Sequence, residues 1–251
     1  MSYSALAYLY DEINGEAYKP YAEMLCECFA LADIPVREVL DLGCGTGGIT
    51  ALLAQKGYDM IGLDISPEML NIARERNEGF NTLLLCQDMR KLDLYDVVDG
   101  AVCTLDSLNH LLRTADLSAV FARLRLFIAP QGLFIFDVNT PYKHRCILGD
   151  NTFVLEDDEV LCVWQNALDD KTCTVDMALD FFWEGEDGRY DRTSDTVRER
   201  AYTQKTWTRL LNDAGFEVLA VYADLTEESP QEDCARWVFV ARNTRPAEEY
   251  A

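Results

Sequence analysis

The sequence predicts an α/β fold, a doubly wound and mostly parallel sheet carrying a small antiparallel insert. Two observations predict the main body. Short, nearly continuous apolar runs alternate with segments of helical spacing, the pattern of strands buried on both faces. One of those runs, Val39-Leu40-Asp41-Leu42, leads straight into the glycine cluster Gly43-Cys44-Gly45-Thr46-Gly47-Gly48. A third observation predicts the insert. From about residue 151 the period changes to the strict alternation of half-buried antiparallel strands.

Taken in order, residues 3–32 read as two helices. Ala5, Leu6, Leu9 and Ile13 form one apolar face, Asn14-Gly15 interrupts it, and Tyr18, Tyr21, Met24, Leu25, Cys28, Phe29 and Leu31 form another. Tyr3, Tyr8, Tyr10, Tyr18 and Tyr21 crowd this segment, for packing or as a lid over a ligand. Strands follow at 38–41, 60–63, 81–86, 97–103 and 133–136, with helices at 49–56 and from Ser66-Pro67, an N-cap serine before a first-turn proline. Thr114 is expected to cap a helix with Leu117, Val120, Phe121, Leu124 and Phe127 on its apolar face, and Pro130-Gln131-Gly132 to turn the chain into the fifth strand. Alternation at Cys173, Val175, Met177, Leu179 and Phe181 marks an insert strand flanked by 160–166 and 190–200. A helix at 204–213 and strands at 216–222 and 235–241 close the pattern. The resulting division is an N-terminal helical lid (1–36), a main domain (37–150 and 202–251) and an antiparallel insert (151–201) that is the candidate substrate lid.

Composition narrows the function. The chain has 251 residues, 49% of them hydrophobic and 26% charged, an ordinary globular balance. Its net charge of -22 is far from ordinary and repels nucleic acid and anionic membranes, so neither is an expected partner. Nine cysteines show no zinc spacing, and the two histidines, His110 and His144, add none, so no metal is expected and the thiols read as reduced. No charged leader and no apolar run of ~18 residues or more is present. A cytoplasmic location is the expectation.

The ligand of the glycine turn decides the chemistry. Gly43, Gly45 and Gly48 satisfy GxGxxG, and Asp64 follows at a distance that suits NAD. Gly43, Gly45 and Gly47 equally satisfy GxGxG, and Asp41 precedes them. A carboxylate there opposes a pyrophosphate but suits an ammonium group. S-adenosylmethionine (SAM) has no phosphate; its α-carboxylate suits backbone amides at a helix N-terminus, and its α-amino group suits Asp41. Asp64 then follows the second strand, placed for ribose hydroxyls, and Asp88 follows the third, placed for the adenine amino group with Met89 against the ring. A single strand-end aspartate is most simply a turn cap; three in register with the glycine loop point to SAM.

These motifs, together with Gly62-Leu63-Asp64-Ile65-Ser66-Pro67-Glu68-Met69-Leu70, resemble class I SAM-dependent methyltransferases over residues 37–140 and more loosely over 203–243. The segment Thr104-Leu105-Asp106-Ser107-Leu108-Asn109-His110, the tyrosine-rich N-terminus, the insert after the fifth strand and Arg200-Ala201-Tyr202 are similar to a subgroup of small bacterial enzymes. The resemblance implies a Rossmann-like sheet of seven strands with the last antiparallel. It also implies a cofactor site formed by Asp41, Gly43, Cys44, Gly45, Gly47, Asp64, Ile65, Asp88, Met89, Leu105 and His110.

A sulfonium is an activated methyl donor, so the protein need only hold a nucleophile in line and exclude water; a catalytic base is optional. Asp106, His110, Asn139, Tyr142 and His144 follow the fourth and fifth strands and are candidates near the methyl group. No catalytic residue is assigned among them. His144, within Lys143-His144-Arg145, reads as part of a solvated basic patch. Trp164, Phe181, Phe182, Trp183 and Tyr190 are the insert's candidates for contact with substrate. The expected function is methyl transfer to a small-molecule nucleophile, an amine above others. A non-catalytic SAM-binding scaffold that uses the fold to form a homodimer, an RNA or protein methyltransferase, and an NAD oxidoreductase are the competing readings.

Overall fold

The computed structural model describes residues 4–156, 160–185 and 187–246. Seven strands form the main sheet: β1 (Glu38–Leu42), β2 (Asp59–Asp64), β3 (Thr82–Cys86), β4 (Val98–Cys103), β5 (Ile128–Asn139), β10 (Phe216–Ala223) and β11 (Arg236–Asn243). Their order across the sheet is β10-β11-β5-β4-β1-β2-β3. β11 runs antiparallel to both neighbours, and the pairs from β5 to β3 are parallel. The order reverses at β1 and β4, so a crevice opens at their carboxyl ends, next to the glycine turn.

The apolar runs of the central strands follow from two covered faces. On β5, Phe134, Phe136 and Val138 point to one side, where α4 (Thr114–Phe127) and α5 (Gln204–Asp213) bring Phe121, Leu124 and Trp207. Leu133 and Ile135 point to the other, under α1 (Ser4–Ala30) and α2 (Gly48–Gln55) with Tyr21, Leu25, Phe29 and Leu53. Each fully buried Leu, Ile or Phe contributes roughly 1.5–3 kcal/mol. α3 (Pro67–Arg76) begins as its sequence predicts, with the Ser66 hydroxyl accepting from the Met69 amide at 3.2 Å.

Several expectations change. The two N-terminal helices are one 27-residue helix, α1, with Pro20 inside it. Asn14 stays helical and donates its side-chain amide to the Tyr10 carbonyl four residues back. Glycine and proline inside a helix cost about 1 and 3 kcal/mol. Burial of Tyr18, Tyr21, Ala22, Leu25, Cys28 and Phe29 against the sheet outweighs that. Tyr3 and the side chains of Ala5, Leu6, Tyr8, Leu9 and Ile13 lie outside the described residues. Thr114 is the first helical residue of α4 rather than its cap, which is Arg113 without a side-chain bond. Pro130-Gln131-Gly132 does not separate a loop from a strand: β5 starts at Ile128 and carries an irregularity there, with Gln131 at φ 68°. Cys28, Cys103, Cys162 and Cys173 are buried, whereas Cys86 and Cys146 are exposed.

The insert is a separate antiparallel sheet ordered β6 (Thr152–Glu156), β7 (Val160–Asp169), β8 (Thr174–Glu184), β9 (Tyr190–Arg200). Its buried face carries Val160, Cys162, Val175, Met177, Leu179, Phe181 and Val197, and its other face is laced by ion pairs such as Arg198–Asp176 and Arg192–Asp180. The end of β9 is bolted to the main domain. Asn109 donates to the Arg200 carbonyl at 3.0 Å, Arg200 to the Leu112 carbonyl at 2.9 Å, and the Tyr202 hydroxyl to the Leu111 carbonyl at 2.7 Å.

Candidate active site

At the carboxyl end of β1 the chain turns through Gly43 at φ 79°, Gly45 at φ 53° and Gly47 at φ 74°. These left-handed values are strained for other residues. A Cβ on Gly43 would also stand 2.9 Å from the Ser107 hydroxyl, so the turn needs glycine there for space as well. The turn is held by β2: the Gly43 and Cys44 amides donate to the Leu63 carbonyl at 2.7 and 3.0 Å. Asp64 accepts from the Gly45 amide at 2.9 Å on one oxygen and from the Ser66 amide at 2.8 Å on the other. Each oxygen keeps a lone pair for a ligand.

A cleft of about 240 Å³ opens over this turn, a little below the roughly 300–1,000 Å³ of small-ligand sites. Gly43, Gly45, Asp64, Ile65, Asp88, Met89 and His110 line it, all expected from sequence. Tyr10, Met69, Gln87, Arg90, Ser107 and Leu111 line it as well; Tyr10 had stood out only as part of the tyrosine-rich segment, Met69 and Ser107 only within longer motifs, and Arg90 not at all. Asp88 caps the turn Met89–Lys91 and holds the Arg90 guanidinium at 2.6–3.0 Å, which keeps its carboxyl below the usual range. The His110 Nδ1 is buried without a partner among the described residues.

Asp41, Cys44 and Leu105 line a narrower cavity that shares Tyr10 and Gly43 with the cleft. Asp41 is 1% exposed, accepts from the Thr50 hydroxyl at 2.6 Å through Oδ2, and leaves Oδ1 without a partner among the described residues. Burial pushes its pKa up to about 6. Gly47 lies outside both cavities; as N-cap of α2 it packs against Asn77 and Ala73.

α1 closes this region from above. The Tyr10 ring lies 3.6 Å from where a Gly45 Cβ would stand, and Tyr18 fills the space where a Gly48 side chain would go. Asp11 pairs with Arg76 of α3 and accepts from the hydroxyls of Thr46 at 2.6 Å and Tyr18 at 2.7 Å, fastening the helix to the loop it covers.

Beyond β4 and β5 lies a second polar group of residues. Leu105 and Asp106 adopt left-handed φ values of 53° and 54°, and Asp137 holds them there by accepting both amides, at 2.7 and 3.1 Å. Left-handed backbone at ordinary residues costs about 1–3 kcal/mol and clusters at functional sites. Arg236, the first residue of β11, pairs with Asp137 and, at 3.0 Å, with Asp106. That guanidinium draws the Asp106 carboxyl well below the usual range against the opposing effect of burial. The Asn139 side-chain amide donates to Asp106 at 2.8 Å and to Glu199 of the insert at 2.9 Å, and accepts from Lys143 Nζ at 2.8 Å. His144 departs from expectation. It is fully buried rather than solvated, with Nδ1 3.2 Å from the Cys173 carbonyl and Nε2 3.5 Å from Glu199. Tyr142 is half-buried beside it. Phe181 is interior to the insert; Trp164 lies against Phe153 with the rings tilted by 54°, Trp183 stacks on Phe181, Phe182 sits under Arg192, and Tyr190 is exposed.

The arrangement fits SAM on its own terms. An unpartnered buried carboxylate beside backbone amides suits an amino acid's zwitterion, and two further carboxylates along the crevice suit hydroxyls and an amino group. The described residues of the cleft offer no cluster of Lys and Arg for a pyrophosphate; Arg90 is its one cation and is engaged by Asp88.

Known proteins give the same class. Residues 39–132 match the methyltransferase domain family. Over 249 residues the chain is 32% identical to YqeM of Bacillus subtilis (strain 168), named as a methyltransferase, covering 98% of each. A SAM-dependent methyltransferase of Clostridium acetobutylicum superposes with a TM-score of 0.86 at 30% identity, covering 96% of this chain and 98% of that one. A dTDP-3-amino-3,6-dideoxy-α-D-glucopyranose N,N-dimethyltransferase of Streptomyces fradiae is 30% identical over 135 residues, 53% of this chain and 52% of that protein. The fold, the site and these likenesses define a SAM-binding transferase. The chain belongs to the class I SAM-dependent methyltransferases.

Proposed function

We propose that the methyl acceptor is a small-molecule amine, bound between the cofactor cleft and the insert with Asp106 facing its nitrogen. The observation that carries this is Asp106 itself, held ionised by Arg236 one residue before Ser107 of the cleft wall. A fixed carboxylate attracts an ammonium compound and offers nothing to a carboxylic acid. The likeness to an aminosugar N,N-dimethyltransferase supports the same choice.

Bound SAM supplies a methyl group on a positively charged sulfur. In this reading Asp41 and the amides of the glycine turn hold its methionine end, Asp64 takes the ribose hydroxyls, and Asp88 with Met89 takes the adenine. Cys44, Ile65, Leu105 and His110 complete the wall. Tyr10 and Leu105 close the cofactor's methyl end against water, and α1 together with the insert forms the enclosure around the acceptor. In this reading the chain works in the cytoplasm.

The test is transfer from labelled SAM to a panel of alkylamines, amino sugars, amino acids, phenols and carboxylic acids. Labelled amines are the expected products. Transfer to oxygen acceptors alone would sink the amine reading.

A further inference from the structure

Among the lysines, Lys19, Lys56, Lys91, Lys171 and Lys205 are exposed, and Lys143 is not. Lys143 opens a short π-helical turn, 143–148, directly beyond β5. Among the described residues its Nζ makes one hydrogen bond, to the neutral side-chain oxygen of Asn139 at 2.8 Å. The charged and titratable groups around it are Asp106 after β4, Asp137 of β5, Glu199 of β9, Arg236 of β11 and the adjoining His144.

Every one of those carboxylates is engaged elsewhere. Asp137 holds two backbone amides and Arg236, Asp106 holds Arg236 and Asn139, and Glu199 holds Asn139 beside His144. Among the described residues none forms an ion pair with Nζ. Burial lowers the pKa of this half-buried lysine, and the Arg236 guanidinium adds to that, against the opposing pull of Asp106, Glu199 and Asp137.

An ammonium acceptor has no lone pair. With a pKa of about 10, only about one molecule in a thousand is a free amine at pH 7. We propose that Lys143 is the general base of the reaction, taking the proton from the acceptor's ammonium beside Asp106. The N–H bond breaks and leaves its electron pair on the acceptor nitrogen, while Nζ gains the proton. The nitrogen pair then forms the bond to the methyl carbon, and the C–S pair goes to sulfur, which becomes a neutral thioether. Lys143 afterwards returns its proton to solvent. Asp106 keeps the acceptor in place throughout. This role rests on the amine reading above.

The experiment uses the full chain with 13C at lysine Cε, titrated by NMR, beside the variants Lys143→Met and Lys143→Arg assayed with the amine of the panel that is methylated fastest. The Lys143 resonance is expected to titrate at lower pH than the five exposed lysines. Transfer at pH 7 should fall about a hundredfold or more in Lys143→Met, the lower end of general-base effects, and recover as pH approaches the amine's own pKa. Lys143→Arg should be equally impaired, since a guanidinium stays protonated. SAM affinity by calorimetry should change by less than about twofold in both variants, a difference under ~0.5 kcal/mol. A Lys143 that titrates with the exposed lysines overturns the role even before any acceptor is found, and so does full activity of either variant on a methylated amine. Methylation of oxygen acceptors alone removes the amine reading and this role with it; full activity of Lys143→Met on an amine removes only the role of Lys143.

Discussion

Asp41 is less stable as an anion inside the protein than it would be in water. Its folded pKa, pushed up to about 6, lies above the unfolded value, so the folded state holds the proton more tightly. Stability from this group is complete below about pH 4 and is lost as pH rises through about 6, a loss of about 3 kcal/mol by neutral pH. An ammonium placed at the free Oδ1 would reverse that penalty. Asp41→Asn should therefore raise the thermal midpoint of the ligand-free protein at pH 7.5, flatten its decline between pH 4 and 6, and weaken SAM binding at least about tenfold. Equal destabilisation at every pH would contradict the assignment. Asp64→Ala should also cost about tenfold or more in SAM affinity by calorimetry, since charged hydrogen bonds contribute roughly 1.5–3 kcal/mol; unchanged affinity would remove Asp64 from the site. These aspartates were legible because each closes an apolar strand within one short motif. Asp137 lies within β5, two residues before its end, and its function of pinning Leu105 and Asp106 is set by backbone geometry that no residue type announces.

At the scale of elements, the parallel strands were legible because burial on both faces leaves an unbroken apolar run. β6 was not, because its residues alternate only between half-buried and exposed. α1 was divided at Asn14-Gly15 because local propensity is weak against the burial of a whole helical face. That helix is sensitive at a point outside itself. Gly48→Ala would drive a methyl into the Tyr18 ring and should lower stability by about 1–3 kcal/mol. Hydrogen exchange of residues 10–20 should quicken in that variant while α5 stays protected; uniform exchange rates in both helices would show that α1 is not fastened there.

For the whole molecule, the net charge of -22 acts in two ways. Self-repulsion destabilises the compact state, and salt screens it over about 10 Å at 0.1 M. The thermal midpoint should rise between about 10 and 300 mM NaCl, and a filter-binding assay with tRNA at about 150 mM salt should show no retention. A falling midpoint would mean that ion pairs such as Arg76–Asp11 outweigh the repulsion. The cofactor half of the site was readable from 37 to 110 because one continuous stretch supplies most of its lining, with Tyr10 and Tyr18 of α1 added by the fold. The other half draws on Asp106, Lys143, Glu199 and Arg236, which only the topology brings together.

That topology also sets when the site can exist during synthesis. β11 follows every other described strand in the chain, yet it lies in the interior of the sheet, between β5 and β10. Until it slots in, β5 remains an open edge, and Asp106 and Asp137 face each other with no cation between them. A nascent or prematurely terminated chain lacking β11 would carry an intact glycine turn and a mutually repelling pair of carboxylates. The cation that reconciles Asp106 with Asp137 is thus among the last parts of the sheet to be made.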